Sequence, residues 1–193
     1  MKVAFTGAGG TGKTTLAKYL SEKWGLPYVG SVSREVMKEM QVESEDAQNA
    51  MTEGALLELQ LAIADRRMSS LAPHASYVTD RCALDNYIYG LRRCGSALTE
   101  QHRKTWEEQA VKDLYSHDLV FYAPNGLFTA KPDGVRQSDI AHQSLMDLAM
   151  YGFLCSHAFD LMAGHVYILS MTDLDRRKGF CDALISEHIS LED

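Results

Sequence analysis

Several absences narrow the class of this sequence before any motif is read. None of its four cysteines (Cys82, Cys94, Cys155 and Cys181) forms a C-x-x-C pair or has a histidine at metal-ligand spacing. Neither a disulfide framework nor a zinc site is indicated. No apolar run approaches the roughly 20 residues of a membrane span. Met1 to Thr6 leads straight into glycines, without the apolar core of a secretory leader. The expectation is a cytoplasmic protein with no membrane partner. Positive charge is also short: 19 Lys and Arg against 26 Asp and Glu leave a formal charge of -7. That balance argues against a nucleic-acid-binding face, so any basic pocket must be assembled from a few residues. There is no internal repeat and no low-complexity linker. A chain of 193 residues, 46% of them hydrophobic, can bury one substantial core, which predicts a single domain over residues 1–193.

Hydrophobic spacing then gives the elements. Residues 2–6 form a short apolar run that suits a buried strand, and residues 14–24 carry leucines and aromatics at helical spacing up to Gly25 and Pro27. Further strands are predicted in "LPYVG", "ASYVTDR", "DLVFYAP" and "HVYILS". Helices are predicted at "SREVMKEM" with Ser33 as cap, over 44–70 without a break, through "ALDNYIYGLRR", over 99–116 with Thr99 as cap, over 140–162, and from Asp173 to the end. Strands alternating with helices imply a five-stranded parallel sheet covered on both faces, a three-layer α/β fold. Residues 124–140 have Gly, Pro and Asp punctuation without periodicity, which suits a small mobile lid.

The glycine cluster after the first strand fits two fingerprints. Gly7-x-Gly9-x-x-Gly12 matches a dinucleotide loop, and Gly7-x-x-x-x-Gly12-Lys13-Thr14 matches the P-loop of nucleoside triphosphate-binding proteins. A dinucleotide site needs an acid about 20 residues on, at the end of the second strand. That strand ends "YVGSVS", and the nearest acid is Glu35, inside the next helix. The P-loop reading loses nothing, since Lys13-Thr14 supplies its last two positions. Backbone N–H groups of Gly9, Gly10, Thr11, Gly12, Lys13, Thr14 and Thr15 would surround the phosphates of ATP at a helix N-terminus. Lys13 would bridge the β and γ phosphates, and the Thr14 hydroxyl would ligate Mg2+.

Binding a nucleotide does not specify a reaction, and "YVTDRCALDNYIYGL" is the discriminating stretch. In a doubly wound sheet the strand C-termini line the ligand crevice, so Asp80 and Arg81 would face the phosphates. With these residues in place, the sequence resembles the P-loop kinases of nucleosides and nucleotides. In particular it resembles thymidylate kinases and phage-type deoxynucleoside monophosphate kinases, which carry an Asp-Arg pair here and a helix with an Asp and aromatics behind it. The resemblance implies that Asp80 positions Mg2+ or the attacking oxygen and that Arg81 clamps an acceptor phosphate. "SREVM" and "PDGVR" carry a second resemblance, to the ATPase and kinase group that includes the ribosylnicotinamide kinase domain of the bacterial NAD regulator. No guanine-reading N-K-x-D follows the fourth strand, and no glutamate follows Asp80 to activate water.

Other candidates follow from position. Arg136, assisted by Lys131, would be brought in by the lid to stabilise charge on the transferring phosphoryl group. Arg34 begins the helix after the second strand, where these kinases bind the acceptor. Gln60 interrupts an apolar helical face with an amide that both donates and accepts, suited to a nucleobase edge. Asp85, Tyr87 and Tyr89 follow the Asp-Arg pair, and one tyrosine would stack on a base or block a ribose. Arg176 and Arg177 follow the fifth strand, where many P-loop kinases stack adenine; Arg176 is the candidate adenine contact. His142, His157 and His165 have no partners at useful spacing.

The resulting expectation is ATP- and Mg2+-dependent phosphoryl transfer to a deoxynucleoside monophosphate such as dTMP. A nucleoside or ribosylnicotinamide kinase is the first alternative, with Asp80 or Glu35 as proton acceptor. A nucleotide-dependent switch is the second. Kinases of this size are often homodimers, although the sequence shows no clear exposed apolar stripe.

Overall fold

The computed structural model describes residues 1–42, 44–126, 140–157 and 166–192. Its sheet contains β1 (Lys2–Thr6), β2 (Tyr28–Val29), β3 (Tyr77–Thr79), β4 (Leu119–Tyr122) and β5 (Val166–Ile168), in the order β2-β3-β1-β4-β5. Every pairing is parallel, with Val3 opposite both Val78 and Leu119. The helices are α1 (Lys13–Trp24), α2 (Ser33–Glu39), α3 (Glu45–Asn49), α4 (Glu53–Leu71), α5 (Ala83–Arg93), α6 (Glu100–Tyr115), α7 (Ile140–His157) and α8 (Leu174–Glu192). The predicted three-layer α/β architecture is the observed one.

Period-two alternation in the strands sorts the core into two layers. Val3 and Phe5 of β1, with Leu119 and Phe121 of β4, pack on Leu16 and Leu20 of α1 and Cys181 and Ile185 of α8. Ala4, Val120 and Tyr122 point the other way, onto Ile88 of α5, Trp106 of α6 and Met150 of α7. Both faces of the sheet are dry, and function is left to the strand ends.

Three expectations need correction. The predicted helix over 44–70 is two helices, because Thr52 accepts the Ala55 N–H through its hydroxyl (3.2 Å) and starts α4 afresh, while Ser44 caps α3 through Ala47 (3.0 Å). Ser33 is the first helical residue of α2 rather than its cap; Val32 stands at the cap and makes no side-chain bond there. Finally, the sequence shows no clear exposed apolar stripe, whereas α7 is apolar on two sides. Met146, Met150, Phe153 and Leu154 are buried, while Ile140, Leu145 and Leu148 face outward among the described residues. The expected lid at 124–140 lies outside the described residues except at its two ends.

Order β2-β3-β1-β4-β5 puts the reversal of direction beside β1, so the crevice opens where β1, β3 and β4 end. Gly7 leaves β1 at φ 134°, and a Cβ there would lie 2.3 Å from the Ala123 carbonyl oxygen at the end of β4. Gly7→Ala therefore meets both an unfavourable φ and a backbone wall. It is expected to cost about 2–4 kcal/mol of unfolding free energy, measured by denaturant titration. A loss below about 1 kcal/mol would mean that the β1 and β4 ends can separate freely.

Candidate active site

The loop between β1 and α1 is wound tight by Gly10 (φ 77°) and Gly12 (φ 85°), with Gly12 at the N-cap of α1. No side chain caps α1 at Gly12, and the positive end of the helix dipole faces the space where an anion would sit. Lys13 is buried, and its Nζ donates to Ala8 O (2.5 Å) and Thr11 Oγ1 (3.1 Å). The ammonium is thus held inside the curve of the loop. From the far side comes Arg177, which is fully buried and donates to Thr11 O (2.9 Å), Leu169 O (2.9 Å) and Met171 O (2.6 Å). It ties the loop to the end of β5. Burial lowers the Arg177 pKa, the expected direction for a cation removed from water.

At the end of β3, Asp80 is 4% exposed. Its Oδ2 accepts from Thr14 Oγ1 (2.7 Å) and Tyr28 OH (3.1 Å). Its Oδ1 is buried and has no hydrogen-bond partner among the described residues. A hydroxyl and a carboxylate with one oxygen unspent form an oxygen donor set that suits a hard divalent cation such as Mg2+. Among these residues only Thr14 and Asp80 would hold it.

Arg81 donates through Nη1 to Asp85 Oδ1 and to Gly7 O (3.3 Å), and its guanidinium lies 5.6 Å from the Tyr89 ring centroid. Burial opposes its charge, but the Asp85 carboxylate outweighs it and the pKa is raised. Asp85 is also held by Thr6 Oγ1 (2.9 Å) and the Cys82 N–H (3.1 Å). It therefore orients Arg81 and caps α5, with its oxygens already engaged. Burial pushes the neighbouring Cys82 thiol up, so it stays protonated.

These groups open on one cavity of about 530 Å³, of the size small-molecule sites commonly have. The loop from Gly9 to Thr15 and Arg34, Gln60, Asp80, Arg81, Asp85 and Tyr89 all line it. Arg176 is not among its lining residues; it is exposed at the start of α8, its backbone N–H on Asp173 Oδ1 (2.8 Å). Arg136 and Lys131 lie outside the described residues. Tyr87 is buried against Phe153, their ring centroids 5.6 Å apart, and its hydroxyl reaches Glu107 (3.5 Å) rather than the cavity.

The structure adds lining residues that sequence reasoning missed. Asn86, one turn before Tyr89 on α5, has a buried Oδ1 with no partner among the described residues. Arg67 of α4 lines the cavity while paired with Asp113 of α6 at 2.6–2.7 Å. Arg93 closes α5 near Gln48 of α3, 5.8 Å from the Tyr89 ring centroid. Asn86 lies six residues after Asp80, within reach of the same motif; Arg67 and Arg93 carry no local signal.

Among solved structures, the chain is similar over 97% of its length to 100% of deoxyadenosine kinase from M. mycoides with bound dCTP, at TM-score 0.72 and 16% identity. It is similar over 96% of its length to 50% of NadR protein in complex with NR, at TM-score 0.65 and 19% identity. Thymidylate kinase from Ehrlichia chaffeensis matches over 96% of this chain and 98% of its own, at TM-score 0.60 and 14% identity. These likenesses concern the fold, and they fall in the groups that the sequence resembles. No curated protein matches the chain in sequence. Residues 2–177 match the AAA domain family, and the chain belongs to that family.

Proposed function

We propose that the chain transfers the γ-phosphoryl group of ATP to a deoxynucleoside monophosphate, dTMP first among the candidates, with Mg2+ as cofactor. The observation that carries this reading is the continuity of one cavity from the phosphate loop, past Asp80, to a wall bearing Arg34, Arg67, Arg81 and Arg93. In a chain of net charge -7, four arginines around one cavity suit an anionic acceptor.

The parts divide by chemistry. The N-terminus of α1 and Lys13 would hold the donor triphosphate and receive charge as it develops on the transferring group. Mg2+ bound at Thr14 and Asp80 would neutralise charge on the phosphate oxygens. Arg81, fixed by Asp85, would hold the acceptor phosphate, with Arg34 and the lid residue Arg136 as further anion contacts. Gln60 on α4 and Asn86 on α5 present carboxamides to the same cavity. Each can accept from an imide N–H and donate to a ring carbonyl, the pattern of a thymine edge. Tyr89 would pack beside the sugar. Positioning and charge neutralisation supply most of the rate, so no strong base is required. The assembly we expect is a homodimer in the cytoplasm, with light scattering as its check.

The unspent Oδ1 of Asp80 favours one second reading, a nucleoside kinase in which this oxygen takes the proton of a sugar hydroxyl. The deciding measurement is ADP release with ATP and Mg2+ against nucleosides, nicotinamide riboside, and ribo- and deoxynucleoside monophosphates. Stimulation by one or a few monophosphates is the expected result. Stimulation by nucleosides alone would move Asp80 to the base role. Slow hydrolysis indifferent to any acceptor would replace both kinase readings with a switch.

A further inference from the structure

Asp80 is held from two sides, and only one of them belongs to the phosphate loop. The other is Tyr28 of β2, whose hydroxyl donates to the same Oδ2 that Thr14 occupies. The route of that side chain is specific. Tyr28 pairs with Val78 and Val29 with Thr79, so β2 runs alongside the strand that ends at Asp80. Residues two apart on a strand share a face, and the residue two beyond Tyr28 is Gly30. A Cβ on Gly30 would stand 3.2–3.3 Å from the Tyr28 ring and hydroxyl. The bare backbone there lets the phenol lie flat along β2 and reach the carboxylate. From α1, Lys18 Nζ lies 5.8 Å from the Tyr28 ring centroid and meets its face.

We propose that Tyr28 is a positioning residue for Mg2+: by engaging Oδ2 from β2, it fixes the Asp80 carboxylate and keeps Oδ1 unspent as a metal ligand. The inference rests on the reading of Thr14 and Asp80 as the residues that hold the ion. Two donors on one oxygen leave the other as the only unspent acceptor, and with Tyr28 absent the carboxylate could rotate about its terminal torsion, which has a broad minimum. Hydrogen-bond partners of metal-ligating carboxylates commonly change metal affinity by 10–100-fold when removed.

The test uses the full chain and reads metal binding apart from catalysis. Mn2+ is titrated in the presence of a non-hydrolysable ATP analogue, followed by its electron paramagnetic resonance signal. Binding of the same analogue is measured separately in EDTA. Tyr28→Phe, which removes only the hydroxyl, is expected to raise the Mn2+ dissociation constant about tenfold while binding without metal and the melting temperature stay near wild type. Gly30→Ala, which keeps the hydroxyl but crowds it and the ring edge, is expected to move metal affinity in the same direction. Unchanged Mn2+ affinity in Tyr28→Phe would overturn the proposal. So would an equal loss of binding in EDTA, which would make the role one of general architecture. A wild type that binds Mn2+ and nucleotide yet phosphorylates no acceptor would sink the kinase reading and leave the Tyr28 comparison intact.

Discussion

Replacing Lys13 by alanine is expected to lower kcat for phosphoryl transfer by roughly 10²–10³, the range typical of losing one preorganised charge stabiliser. The argument starts from confinement. Lys13 is 5% exposed, and its Nζ is held by Ala8 O and Thr11 Oγ1 inside the loop that would receive the phosphates. The charge is therefore placed before substrate arrives, so little reorganisation remains when negative charge grows on the transferring group. Loss of those two hydrogen bonds costs about 1–2 kcal/mol of stability, well short of unfolding a domain of this size. Nucleotide binding should weaken less than turnover, because the N–H groups of α1 remain. Lys13→Arg should fail to rescue, since a planar fork does not fit a site shaped for a compact ammonium. Steady-state and single-turnover rates with the best acceptor from the panel would test this. Residual activity above about a tenth of wild type would remove Lys13 from the catalytic apparatus.

The parts of this site that were legible in the sequence are those whose partners are close in the chain. Gly7, Gly12, Lys13 and Thr14 form one loop, so their spacing alone specifies the anion cradle. Asp80 and Arg81 were legible through their place at a strand end, a rule of the sheet rather than of the residues. The wall opposite was not legible, because Arg67, Arg93 and Gln48 come from three helices whose approach is decided by tertiary packing. One missed distinction did have a local signal. Arg177, Cys181 and Ile185 recur every four residues, and all three have 0% exposure. That apolar phase of α8 points Arg177 inward and Arg176, turned 100° away, to solvent. The break within 44–70 was marked by Thr52, which starts α4, and by Gly54 two residues on, with no proline to announce it. A hydroxyl cap is a weak signal inside an otherwise helical run.

The largest expected loss of stability comes from a residue outside the cavity. Asp113 of α6 is 10% exposed and accepts two bonds from Arg67 of α4 (2.6–2.7 Å) and one from the Ala83 N–H at the start of α5 (2.7 Å). One carboxylate thus joins three helices and supplies part of the cap of α5, the helix that carries Asp85, Asn86 and Tyr89. Asp113→Ala would leave the Arg67 guanidinium buried with its charge unanswered by this partner, a change that typically costs about 3–5 kcal/mol. At about 2–4 °C per kcal/mol for a domain of this size, the melting temperature should fall on the order of 10 °C. Because Arg67 also lines the cavity, KM for the acceptor should rise more than KM for ATP. Asp113→Asn keeps an acceptor for the Ala83 N–H but loses the charge, and should lie between the two. Replacing the pair together, Arg67→Met with Asp113→Leu, should recover much of the lost stability, since no buried charge remains to be paired, while leaving the acceptor KM raised. A melting temperature within about 2 °C of wild type for Asp113→Ala would show that water reaches Arg67 easily and that this junction does not hold α5 in place.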